Sequence, residues 1–103
     1  MLARPAEMTN QDDAMNSRKV TISNKLGLHA RAAAKFVNLA STFEADVTIR
    51  LNGAHVNGKS IMGIMMLAAG KGTELELETN GPDEQQAIAS LVNLIEDRFG
   101  EDD

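Results

Sequence analysis

The chain contains no cysteine, no tryptophan and no tyrosine, and only two prolines among its 103 residues. Without cysteine there is no disulfide, no thiolate nucleophile and no cysteine-zinc site. Three phenylalanines are the only aromatics, which leaves little for nucleic-acid bases to stack on. No dense basic patch accompanies them, so a nucleic-acid partner is not expected. The longest mostly apolar run, Ile61 to Ala69, is interrupted by Gly63 and is far shorter than the ~18 residues of a membrane span. The opening Met1-Leu2-Ala3-Arg4-Pro5 lacks the apolar stretch of a signal peptide. A soluble, cytoplasmic protein with no membrane partner is the expectation.

Acid is unevenly spread. The net charge is −5, but residues 1–17 carry −2 and residues 96–103 carry −4, which leaves +1 for the segment between them. From Asn24 to Phe43 the only charged side chains are Lys25, Arg31 and Lys35. The length suits one domain, with ~60–70% of its unfolded surface buried on folding.

Residues 1–17 show no apolar period and read as a disordered extension. Met1, Met8 and Met15 are all possible start sites. Residues 18–99 form the expected domain, and residues 100–103 an acidic tail that reads as a solvated end. Within the domain, Lys19 to Ser23 alternates as a strand does. A turn over Asn24 to Gly27 leads into a helix from about His29 to Ser41, with Ala33, Phe36, Val37 and Ala40 on its apolar face. Val47, Ile49 and Leu51 mark a second strand, and Asn52-Gly53 signals a hairpin into a short third strand, Ala54 to Val56. Ser60 is placed to cap a short helix from Ile61 to Ala69, closed by Gly70. Leu75 and Leu77 alternate with three glutamates in a fourth strand that has one wet face. Pro82 and the acids after it open a last helix whose apolar stripe is Ile88, Leu91, Val92, Ile95 and Phe99. The order β-α-β-β-α-β-α implies an α+β fold: an open-faced two-layer sandwich, with a four-stranded antiparallel sheet and three helices on one face.

The candidate site is Gly27-Leu28-His29-Ala30-Arg31. A histidine at a helix start is either a capping or partly buried side chain, or the centre of an anion or phosphoryl site. Free backbone N–H groups and the helix dipole favour an anion there. Arg31 offers a forked donor to phosphate oxygens, and Gly27 lets another backbone approach closely. The same positive setting disfavours a cationic ring and keeps the imidazole neutral and nucleophilic. No metal is expected, because His55 is the only other histidine and no acid follows His29 before Glu44. The helix Ile61 to Leu67 is apolar nearly all round, so part of it should be exposed. Met62 or Met65 is expected on a partner-facing side, where Gly63 permits close approach.

The segment Gly27-Leu28-His29-Ala30-Arg31 resembles the active-site signature of HPr, the histidine phosphocarrier family of the bacterial phosphotransferase system. A second block, Gly58-Lys59-Ser60-Ile61-Met62-Gly63-Ile64-Met65-Met66-Leu67, is similar to that family's regulatory-serine region. The likeness covers about residues 18–99. It implies the open-faced sandwich and a carrier rather than an enzyme, with no cofactor. It implies that His29 takes a phosphoryl group on Nδ1 from phosphorylated enzyme I and passes it to an EIIA-type acceptor. It also implies that Arg31 steadies the phosphoryl group and that Ser60 is open to an HPr kinase/phosphorylase. Gly27, Lys59, Met62 and Met65 are the expected docking residues of a monomer. Ala32 stands where the family commonly has proline, and in this the chain looks like the nitrogen-related branch, NPr. The competing reading is a non-catalytic regulatory module of the same fold, whose phosphorylation state controls partner proteins.

Overall fold

The computed structural model describes residues 16–102. The expected disordered extension therefore lies, for residues 1–15, outside the described residues. Asn16 and Ser17, which the sequence pattern assigns to that extension, belong to the domain. Strand β1 runs Ser17–Thr21, the Thr79 N–H donates to the Asn16 carbonyl at 3.0 Å, and the Asn16 amide donates to the Glu84 carboxylate. The boundary reads late in the sequence because Asn16 and Ser17 are polar and are held by hydrogen bonds.

After β1 come α1 (Ala30–Ala40), β2 (Asp46–Leu51), β3 (Ala54–Asn57), α2 (Ile61–Met66), β4 (Glu74–Asn80) and α3 (Glu84–Glu96). A 3-10 turn follows at Arg98–Gly100. The four strands form one sheet in the order β1-β4-β2-β3, and every pairing is antiparallel. This is the expected α+β sandwich. Val20 pairs with Leu75, and Ile49 with Leu77. These side chains form the inner face, buried against Phe36, Ile64, Ile88, Leu91 and Ile95 of the helices. The outer face is polar: Lys19 and Arg50 flank Glu76, and Arg50 pairs with Glu78 at 3.0 Å.

Two helix ends differ from the sequence pattern. Helix α2 stops at Met66, and Ala68, not Gly70, takes the left-handed conformation, with φ 51°. Helix α3 stops at Glu96, before Phe99. Arg98 and Phe99 both have φ 56°, and this bend drives Phe99 into the core, where it is 1% exposed. Burial of a large aromatic outweighs the local cost of left-handed backbone. Asp83 does not cap α3 with its side chain. Its carboxylate instead accepts from the N–H groups of Glu44 and Ala45, each at 2.9 Å.

Candidate functional site

The turn before helix α1 is held by close backbone contact at Gly27 and Leu28. Gly27 has φ +67°, and a Cβ there would lie 2.6 Å from the Ala69 carbonyl oxygen and 2.8 Å from the Gly70 Cα. The next N–H, of Leu28, donates to that carbonyl at 2.9 Å. Gly27 is buried, so the backbone it admits is the chain's own. Its expected docking role gives way to one of anchoring the turn before His29.

His29 is the N-cap residue of α1, with extended backbone and no side-chain capping bond. Its carbonyl accepts the Ala33 N–H at 2.8 Å, which opens the helix. The N–H groups of the first turn have no partner within the helix and are available to an anion. Residue 32 lies within that turn, so its backbone suits either proline or alanine. Ala32 is wholly buried, which gives the alanine a packing role.

The ring is partly exposed, and its far nitrogen is engaged. Nε2–H donates to the Glu101 Oε2 at 2.6 Å, with 27% of the His29 side chain and 20% of the Glu101 side chain exposed. A carboxylate only accepts, so Nε2 carries the proton and the neutral ring keeps its lone pair on Nδ1. The hydrogen bond from His29, and after it the one from Asn24, hold the Glu101 carboxyl below the usual carboxylate range. The acidic tail is therefore not simply a solvated end, as its composition suggested. Glu101 lies 72 residues from His29 in sequence, and no local pattern links them. Its negative charge also works against the expectation that the surroundings of the ring are only positive.

Glu101 is placed by its neighbours. Phe99 anchors the tail in the core, and the Lys35 ammonium donates to the Phe99 carbonyl at 2.7 Å. The Asn24 amide donates to the Glu101 Oε1 at 3.1 Å. Lys25, Leu26, His29, Arg31, Glu101 and Asp102 line one open depression, so the structure brings Arg31 and His29 together as expected.

Ser60 caps α2, its Oγ accepting from the Gly63 N–H at 3.0 Å. Lys59 is less available than its sequence suggests, because its ammonium donates to the Phe43 carbonyl at 2.8 Å. Only Ile64 of α2 is buried. Met62 is 73% exposed and Met65 43%, while Met66 at 79% is the most exposed of the three. Leu26, beside the His29 turn, is 66% exposed. Met66 and Leu26 were not singled out by the sequence, where periodicity over so short a helix does not separate its faces. Among the described residues no cluster of side chains is suited to a metal ion, and no helix is long and apolar enough to cross a membrane.

An imidazole at a helix start, beside an arginine and in an open depression, is a surface arrangement suited to an anionic group. Comparison with known proteins assigns the class. The family described as the PTS HPr component phosphorylation site matches residues 16–97. The phosphocarrier protein HPr of Cupriavidus necator is 58% identical over 87 residues, covering 84% of this chain and 98% of that protein. The crystal structure of HPr from Thermoanaerobacter tengcongensis superposes with a TM-score of 0.83 at 46% identity, covering 85% of this chain and 99% of that one. Crh of Bacillus subtilis, described as a dimer with a swapping domain, has a TM-score of 0.66 at 41% identity, covering 87% and 95%. The chain belongs to the HPr family of phosphocarrier proteins of the phosphotransferase system. It is a carrier of phosphoryl groups rather than an enzyme, and its family acts with the enzymes of that system.

Proposed function

We propose that His29 is the phosphoryl-accepting residue and that it reacts through Nδ1. The observation that carries this reading is the 2.6 Å contact of Nε2 with Glu101, which leaves the lone pair on Nδ1. That lone pair forms the N–P bond as the donor's bond to phosphorus breaks, and the leaving electron pair stays with the donor. The ring retains its Nε2 proton and becomes an imidazolium bearing a dianionic phosphoryl group. Glu101 stabilises the ring's new positive charge. Nδ1 is the nitrogen nearer the main chain, so the phosphoryl oxygens meet the first-turn N–H groups of α1, with Arg31 as a further donor.

The donor is phosphorylated enzyme I and the recipient an EIIA-type acceptor, with the carrier working as a monomer in the cytoplasm. Leu26, Met62, Met65 and Met66 supply the adaptable apolar docking surface. Ser60 is a second, regulatory site for an HPr kinase/phosphorylase. A phosphate there would add negative charge beside the docking surface and slow transfer to His29.

The test is incubation with phosphoenolpyruvate, Mg²⁺ and enzyme I, followed by mass measurement. Wild type and His55→Ala gain one acid-labile phosphoryl group, and His29→Ala, still folded, gains none. Uptake by His29→Ala at the wild-type rate would overturn the assignment.

A further inference from the structure

Asn24 is wholly buried at the turn between β1 and α1. Its main-chain carbonyl accepts the Gly27 N–H at 3.2 Å. Its side-chain Nδ2 donates to the Gly27 carbonyl at 2.8 Å and to the Glu101 Oε1 at 3.1 Å. Its Oδ1 is buried with no hydrogen-bond partner. A buried acceptor left unmade is costly, so packing alone would favour an apolar side chain here. The amide has one feature that an apolar group lacks. Both of its neighbours are acceptors, and an NH₂ group satisfies the two together without burying a charge.

We propose that Asn24 is a positioning residue for phosphoryl transfer, whose buried amide holds the Glu101 carboxylate on His29 Nε2 and so presents the Nδ1 lone pair. The inference rests on the reading of His29 and Glu101 given above. It adds a requirement on residue 101, which must accept at both ends, from the ring through one oxygen and from Asn24 through the other. A carboxylate does this. A carboxamide does not, because its NH₂ would face either the Nε2–H or the Asn24 NH₂. The amide also ties Glu101 to the Gly27 carbonyl, so the turn that places the ring and the tail that orients it move as one unit. This is how a carboxylate at the end of the chain is kept in register with a ring at the first helix.

The test compares wild type, Glu101→Ala, Glu101→Gln, Asn24→Ala and the double variant Asn24→Ala/Glu101→Ala. Two quantities are read in each. One is the NMR signal of the His29 ring nitrogens and of the Nε2 proton, which Glu101 shields from exchange. The other is the rate of phosphorylation by enzyme I. The expected result is loss of the protected Nε2 proton in all four variants, with transfer slowed ~5-fold or more, the scale of one lost hydrogen bond. The double variant should be no slower than Glu101→Ala. Glu101→Gln leaves the buried Asn24 intact, so it tests the idea even if Asn24→Ala unfolds. A slow Glu101→Ala beside a wild-type Glu101→Gln, with its Nε2 proton protected, would overturn the role of Asn24 and leave that of Glu101 standing. Wild-type behaviour of Glu101→Ala would overturn the reading of Glu101 itself.

Discussion

Replacing Gly27 with alanine tests whether the turn before His29 is held by backbone contact. Two costs can be worked from the structure. Left-handed backbone at φ +67° costs an L-residue about 1–2 kcal/mol. The added Cβ would lie 2.6 Å from the Ala69 oxygen and 2.8 Å from the Gly70 Cα, so one of the two segments must move. That movement breaks the 2.9 Å bond from the Leu28 N–H to Ala69 and leaves a buried donor unpaired, at about 1–3 kcal/mol. The sum is about 2–5 kcal/mol, and each kcal/mol lowers Tm by roughly 4–8 °C for a domain of this size. Gly53→Ala separates the two costs. Gly53 has φ +85° with nothing within 4 Å of a Cβ, so it carries only the conformational part, about 1–2 kcal/mol. Thermal unfolding followed by circular dichroism measures both. Gly27→Ala should melt well below Gly53→Ala, and below its melting point it should accept phosphate more slowly, because His29 is displaced with the turn. Equal melting temperatures for the two variants would refute the argument from backbone contact.

Other perturbations act on different parts of the molecule. Ser60→Ala removes the cap of α2 and should cost about 1 kcal/mol, visible as a lower Tm. Ser60→Asp keeps an oxygen for the Gly63 N–H and should hold or raise Tm while slowing transfer from enzyme I; equal rates for Ser60→Asp and wild type at low salt would leave Ser60 a cap only. Met66→Ser removes a side chain that is 79% exposed, so Tm should stay put, while lost apolar contact raises the KM for enzyme I by up to ~10-fold. The N–H groups of Glu44 and Ala45 hold the Asp83 carboxyl below its ordinary range. A lowered native value stabilises the fold above the unfolded-state value, and this contribution is lost as pH falls through the native one. The stability gap between wild type and Asp83→Asn should therefore be constant near neutral pH and shrink in acid, and a gap independent of pH down to the acid transition would count against it.

What neighbouring residues can specify was legible before the fold was known. Alternation and helical spacing gave the elements and their order, because each period records which side of an element meets the core. Asn52-Gly53 marked its hairpin, and both residues have positive φ in the structure. The motif around His29 placed the imidazole at a helix start beside Arg31, where the structure has it. What comes to the ring from distant segments was not legible in local sequence. Glu101 belongs to an acidic run whose composition matches any solvated end, and it reaches His29 because Phe99 bends the chain into the core. Asn24 looks like an ordinary turn residue until burial and its two acceptors are seen. Gly27 looks equally suited to a partner's approach, and the backbone that approaches is that of Ala69 and Gly70. These contacts join segments far apart in the chain, so their energy depends on how the domain closes rather than on any neighbour in sequence.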